Sequence, residues 1–225
     1  MTTYTDKPIQ ILLLGATGRT GKEVLYQALE RGYKVTALVR DSSKIEIQSP
    51  KLKVLEGDTR IPSDLNGALQ RCEAVISCLN ISRKSDFPWS ALRTPENYLS
   101  LTMRSLINAC NENGIQRLIF TSAWGVGDSR PYTPGWFAWF IDNSNLSAAY
   151  MEHERQEAMV KNSGLNWTIV RPVGLVNRKK FKPVKVFFNN EGKPAMTISR
   201  RDTARFLLDT ITDPKYYRAI PVISS

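Results

Sequence analysis

Gly15-Ala16-Thr17-Gly18-Arg19-Thr20-Gly21 is the stretch of this chain whose residue types and spacing most plainly do chemistry. Glycines spaced G-x-x-G-x-x-G leave a bend without Cβ atoms. Main chain can then approach a pyrophosphate closely, while the helix that follows offers unpaired N–H groups and the positive end of its dipole. The bend follows the apolar run Ile9-Gln10-Ile11-Leu12-Leu13-Leu14. It precedes an amphipathic segment, Thr20 to Arg31, with Val24, Leu25, Ala28 and Leu29 on one face, and Gly32 is placed to cap that segment before a second strand, Lys34 to Val39. In a strand-helix-strand setting, such a bend reads as a cradle for a dinucleotide.

Arg40 closes the second strand about twenty residues past the glycines, where a site for an unphosphorylated ribose would carry a carboxylate. A guanidinium at that place can make a forked, charge-assisted pair with a 2′-phosphate, which a carboxylate would repel. Arg19 and Lys44 could converge on the same phosphate. The expected cofactor is therefore NADP(H) rather than NAD(H), with ordinary solvated charge as the alternative reading of Arg40 and Lys44.

Positioning such a site requires a sheet. Strands are expected at Lys53 to Glu56, Ala74 to Cys78, Arg117 to Phe120 and Trp167 to Val170, alternating with helices at Pro62 to Arg71, Pro95 to Asn113 and Ser147 to Ser163. With the first two strands this makes a doubly wound parallel sheet of six strands, whose ligands belong beyond the carboxyl ends. That rim collects Gly15, Arg40, Asp58, Ser77 to Asn80, Ser122 and Arg171-Pro172. Two insertions, Gly125 to Asn145 and Val173 to Thr197, are left to build a small substrate lobe, the first with Trp136, Phe137, Trp139 and Phe140, the second with a hairpin around Asn189 to Gly192. Ser199 and Asp202 read as a capping pair for a helix from Arg200 to Thr212.

A chain of 225 residues with this pattern suits one α/β domain spanning residues 1–225. Cys72, Cys78 and Cys110 are odd in number and lack metal-ligand spacing, so neither a disulfide framework nor a metal site is expected. The opening from Met1 to Pro8 is polar and the apolar run behind it is too short for a membrane span, so a cytoplasmic protein with no membrane partner is expected. The net charge of +10 favours anionic ligands. Its densest clusters, Arg178-Lys179-Lys180 with Lys182 and Arg200-Arg201, carry no nucleic-acid motif, so a polyanionic cofactor explains the charge better than nucleic acid does. Nothing in the residues fixes an oligomeric state.

Together the glycine bend, Leu38-Val39-Arg40-Asp41-Ser42-Ser43-Lys44, Glu56-Gly57-Asp58, Ile119-Phe120-Thr121-Ser122-Ala123 and Ser163 to Pro172 resemble the atypical short-chain dehydrogenase/reductase superfamily, a Rossmann fold. Within it the chain is most similar to the single-domain branch of NmrA-like proteins and biliverdin-IXβ/flavin reductases. The resemblance covers nearly the whole chain, Ile198 to Asp202 included, and leaves out only the two insertions. It implies that Gly15, Thr17, Gly18, Arg19, Thr20 and Gly21 form the phosphate site and that Arg40 and Lys44 take the 2′-phosphate. Asp58 would approach the adenine, Cys78-Leu79-Asn80 would line the nicotinamide side, and Ser122 would stand as the active-site serine.

The superfamily's tyrosine and lysine are where the chain departs from pattern. Tyr150 is followed one helical turn later by Glu154, and a carboxylate disfavours the phenolate that a lysine would favour. Counting back from Ser163-Gly164, the lysine position falls on His153, as in the biliverdin-IXβ/flavin reductases. This is the chain's one histidine and a candidate proton donor near neutral pH, although Val173 stands where that branch has a second histidine. The resemblance implies an NADPH-dependent reductase acting on a planar, electron-poor acceptor such as a flavin or quinone. Its other branch implies a non-catalytic NADP(H) sensor or assembly protein.

Overall fold

β1 (Gln10–Leu14) is buried on both faces from Ile11 onward, which a strand can be only in the middle of a sheet covered by helices on each side. The computed structural model describes residues 8–225 and puts it there; the polar opening read from Met1 to Pro8 lies outside the described residues except for Pro8. β2 (Lys34–Val39), β3 (Leu52–Glu56), β4 (Ala74–Ser77), β5 (Arg117–Thr121) and β6 (Asn166–Pro172) run parallel to β1 in the spatial order 3-2-1-4-5-6. The order reverses between β1 and β4, so the loops after those two strands diverge and open a crevice at their carboxyl ends.

The sheet does not stop at six strands. Four short ones follow, β7 (Gly174–Val176), β8 (Lys185–Phe187), β9 (Thr197–Ser199) and β10 (Val222–Ser224). β10 adds to β6 in parallel, and β8 closes that edge antiparallel to β10, giving eight strands. This corrects the hairpin expected in the second insertion. The turn exists, with Asn189, Asn190 and Gly192 all at positive φ, but β8 pairs with the chain's last strand and β7 pairs in parallel with β9. Turn chemistry specified a reversal and could not specify its partner.

Helices cover both faces. α1 (Arg19–Glu30) packs against α6 (Arg200–Asp209), where Val24, Leu25 and Ala28 meet Ala204, Leu207 and Leu208. Across the sheet, α2 (Pro62–Leu69), α3 (Tyr98–Glu112) and α5 (Leu146–Lys161) bury Leu65, Leu69, Met103, Leu106 and Val160. Each large apolar side chain withdrawn from water contributes about 1.5–3 kcal/mol. The first insertion forms α4 (Gly135–Asp142) after a 3-10 segment, Gly127–Tyr132. The expected capping pair is present: the Ser199 hydroxyl accepts from the Asp202 N–H (2.9 Å) and donates to its carboxylate (2.7 Å). Among the described residues the three cysteines are free, and no helix is long and apolar enough to cross a membrane.

Candidate functional site

At the switch point the strand ends nearly touch. Gly15 has φ +81°, and a Cβ there would lie 2.9 Å from the carbonyl carbon and oxygen of Cys78. A Cβ on Gly21 would overlap the Gly15 carbonyl oxygen. Both glycines are thus required by close backbone approach, one across the crevice and one within the bend. Gly18 caps α1 in extended conformation, and its N–H donates to the Gly15 carbonyl (2.9 Å). Among the described residues no side chain caps this helix and no acid stands in its first turn, which leaves the first-turn N–H groups available to an anion.

Gly15 and Thr17 line one side of a cleft whose other walls are Leu38 to Arg40, Gly57, Thr59, Leu79, Asn80, Ser82, Thr94 and Tyr98. Its far end is held by buried hydroxyls: Thr59 Oγ1 lies 3.0 Å from the Tyr98 hydroxyl and 2.9 Å from Thr102 Oγ1. Ser82 Oγ, in the cleft wall, is buried without a hydrogen-bond partner among the described residues, and so is Arg83 Nε beside it. Buried polar atoms are nearly always satisfied, so a polar ligand suits this wall. A glycine-walled bend, an uncapped helix start and an unsatisfied hydroxyl together fit a dinucleotide.

Of the residues expected around that cofactor, the structure brings Gly15, Thr17, Arg40, Leu79 and Asn80 into the cleft wall, with Gly18, Thr20 and Gly21 in the bend beside it. The Arg40 guanidinium lies 5.9 Å from the centre of the Tyr98 ring, at the end of the cleft held by those hydroxyls. Arg19 is held in a forked pair by Asp86 (2.7 and 2.8 Å), so it has to exchange partners to meet a phosphate. Asp58 is gripped by Arg60, whose hydrogen bonds hold its carboxyl below the usual range against the opposing effect of partial burial. Lys44 stands outside that cleft wall: it pairs with Asp41 (2.9 Å) at the end of the 3-10 turn Ser42–Lys44 and lines a separate hollow with Tyr26 and Ile45. Burial pushes the Cys78 thiol up to about 12, which keeps it a neutral wall of the crevice.

The expected catalytic groups are committed elsewhere. The Ser122 hydroxyl, at the end of β5, donates to Glu157 Oε1 (2.7 Å). That carboxylate is buried and doubly bonded by Arg171, through Nε (2.9 Å) and Nη2 (2.6 Å), and Arg171 reaches on to Asp128 (2.8 Å). Arg171, expected at the cofactor rim, is 1% exposed and spent in this network, while the Pro172 carbonyl accepts from Trp124 N–H (3.0 Å). The Tyr150 hydroxyl donates to the Trp124 carbonyl (3.3 Å), and burial pushes it up to about 12. Sequence reasoning missed Thr59, Ser82, Thr94 and Tyr98 of the cleft wall, and Glu157 and Asp128 of the network around Ser122. For Glu157 a signal existed, since it lies four residues past His153 on the buried side of α5.

His153 is buried, not solvated, with Nδ1 3.3 Å from Gln156 Oε1. Burial outweighs the neighbouring Glu157 and Glu152 and pushes it down to about 4. Between that value and the unfolded value of about 6.5, only the unfolded chain binds this proton, so stability falls as pH drops through that window. Urea unfolding should therefore show the protein losing about 1.5 kcal/mol more between pH 6.5 and pH 5 than a His153→Gln variant loses. Identical losses in the two proteins would mean that the imidazole is not held neutral.

The chain matches the NAD(P)H-binding family over residues 15–214. It is 29% identical over 178 residues to an uncharacterised chloroplastic protein of Arabidopsis thaliana, covering 76% of this chain and 61% of that protein. With a photosystem II assembly factor of Guillardia theta it shares 31% identity over 124 residues, 54% of this chain and 37% of the relative. The chain thus spans less than two thirds of the length of these relatives. Its fold is that of a short-chain dehydrogenase/reductase from Veillonella parvula in complex with NADP (TM-score 0.81, 19% identity, 97% and 95% coverage) and of an anaerobilin reductase from Escherichia coli O157:H7 (TM-score 0.78, 22% identity, 96% of each chain). A glycine bend that only glycine can form, set at the switch point of a 3-2-1-4-5-6 sheet, and a match that runs almost end to end agree on one assignment: this chain belongs to the NAD(P)H-binding family.

Proposed function

We propose that the chain is an NADPH-dependent oxidoreductase that passes hydride to a planar, electron-poor acceptor such as a flavin, a quinone or a tetrapyrrole-like compound. The observation that carries the acceptor class is the commitment of every candidate proton donor. Tyr150 points at a main-chain carbonyl, Ser122 is bound to Glu157, and His153 is buried and neutral. Reduction of a simple carbonyl needs an acid poised at the oxygen, whereas flavins and quinones can take their protons from water. The bound nicotinamide supplies the hydride. This chain's own part is to hold the pyrophosphate on the α1 N-terminus, to mark the 2′-phosphate with Arg40, and to wall the crevice with Leu79 and Asn80.

Two measurements test this. Purified protein should oxidise NADPH with FMN, FAD, a quinone or biliverdin, and failure with all of them would remove the catalytic reading. Arg40→Ala should weaken NADPH binding by roughly ten- to a hundredfold, the size of one lost charge-assisted contact, and leave NADH binding unchanged. Equal effects on the two cofactors would mean that Arg40 does not sense the extra phosphate. The same commitment of Ser122, Tyr150 and His153 also favours a second reading, a cofactor-responsive assembly or sensor protein, and one relative is named as an assembly factor. It predicts tight binding of both NADPH and NADP+ with no turnover.

A further inference from the structure

We propose that the face built by the segment Ser82–Arg93 and helix α4 docks on an anionic lipid bilayer. The segment is a strap closed by an antiparallel bridge between Arg83 and Leu92, with Lys84 N–H donating to Ala91 (2.9 Å) and Arg93 N–H to Ser82 (2.8 Å). Its tip is fastened to the far end of α4, where the Trp89 indole N–H donates to the Asn143 carbonyl (2.6 Å) and Asn145 N–H to the Pro88 carbonyl (3.1 Å). This fixes an aromatic ridge in place: Phe87 lies 5.3 Å from Trp89, and Trp89 meets Phe140 of α4 edge-on at 5.7 Å.

On α4, Trp136, Trp139 and Phe140 share one side of the helix by their spacing. Trp136 is 65% and Trp139 62% exposed, and of the whole helix Ile141 alone is buried. A helix apolar on nearly every side is stable in water only when something covers it. At about 12 Å long it cannot cross a bilayer and can only lie in the interface.

Charge decides what covers it. Arg19, Arg83, Lys84 and Arg93 border the ridge on the strap side, against a single carboxylate there, Asp86, which is already paired with Arg19. Asp142, at the end of α4, is neutralised by Arg130. A second copy of this face would bring like charges together, which opposes self-association. A surface of lipid phosphates under a layer of hydrocarbon satisfies both halves: the rings sit at headgroup depth, where tryptophan concentrates, and each cation near the surface adds about fivefold to the partition. Peripheral docking of this kind needs no spanning segment, and the expectation of no membrane partner rested on the lack of one. The proposal does not rest on the cofactor reading: were Arg19 to exchange Asp86 for a phosphate, the strap's three cations, Arg83, Lys84 and Arg93, would still outnumber its one carboxylate.

The test is flotation of the whole protein with phosphatidylcholine vesicles, with and without phosphatidylglycerol. Binding should appear at low salt on the mixed vesicles, fall on the order of a hundredfold on pure phosphatidylcholine, and decline as salt is raised. Trp136→Ala/Trp139→Ala and Lys84→Glu/Arg93→Glu should each weaken it by tenfold or more while keeping the wild-type thermal transition. Three results would overturn the proposal: no flotation with mixed vesicles at low salt, flotation that the tryptophan pair does not change, or a lipid-free dimer that the tryptophan pair dissolves.

Discussion

A Gly21→Ala variant binds NADPH on the order of a hundredfold or more weakly than the wild type, and loses thermal stability at the same time. The added methyl overlaps the Gly15 carbonyl oxygen, which accepts the Gly18 N–H that sets the bend. Moving that oxygen re-aims the first-turn N–H groups of α1. Each charge-assisted hydrogen bond lost to a phosphate costs about 1.5–3 kcal/mol, so two of them suffice for the binding loss. Overpacking by one methyl costs about 1–3 kcal/mol, which lowers the melting temperature by several degrees in a chain of this size. Two other glycines supply the controls. Gly18→Ala meets the same oxygen at 3.2 Å and should lose binding mildly, whereas Gly67→Ala, within α2 and facing open space, should bind normally and gain up to about 1 kcal/mol. Calorimetry on the three variants checks the series. Tight NADPH binding by a folded Gly21→Ala protein would detach the glycine bend from the cofactor.

How much of this was legible follows from how far each determinant reaches along the chain. The bend and β1 to β6 are specified within a few residues of themselves, by glycine spacing and by apolar runs ended by turns. They stand close to where their patterns put them, as with β2 at Lys34–Val39. α3 begins at Tyr98, three residues after the expected Pro95, because Pro95 and its neighbours form a turn leading into the helix. β8 and β10 are three residues each, too short for alternation to show, and their pairing joins segments more than thirty residues apart. Arg171 and Arg19 show the same limit in side chains. Their position at the rim was readable, but the carboxylates that claim them, Glu157 and Asp86, lie 14 and 67 residues away, and only the fold brings them into contact. Polar identity also concealed the buried side of α5. Glu152, His153, Gln156 and Glu157 are all buried there, so a search for apolar periodicity finds little in the helix.

That polar helix face leads to the second large effect. A Glu157→Ala variant loses about 3–5 kcal/mol of stability, because it strands a buried guanidinium. Arg171 is 1% exposed and would keep one bond, to Asp128, out of three, while the Ser122 hydroxyl would lose its acceptor. At the size of this chain that loss lowers the melting temperature by roughly 6–20 °C. Removing both charges at once is different in kind: a Glu157→Leu/Arg171→Met protein leaves no buried unpaired ion, since Asp128 and Lys161, which lose their partners, both reach water, and it should recover most of the loss. Equilibrium unfolding of Glu157→Leu, Arg171→Met and the double variant closes the cycle. Single losses below about 1 kcal/mol, or a double loss equal to their sum, would show that the network is not coupled. The same variants separate structure from chemistry. Well below its transition, Glu157→Ala should bind NADPH as the wild type does, since none of these residues lines the cofactor cleft. A change in turnover with FMN at unchanged affinity would instead mean that Ser122, once released from Glu157, takes part in proton delivery to the acceptor.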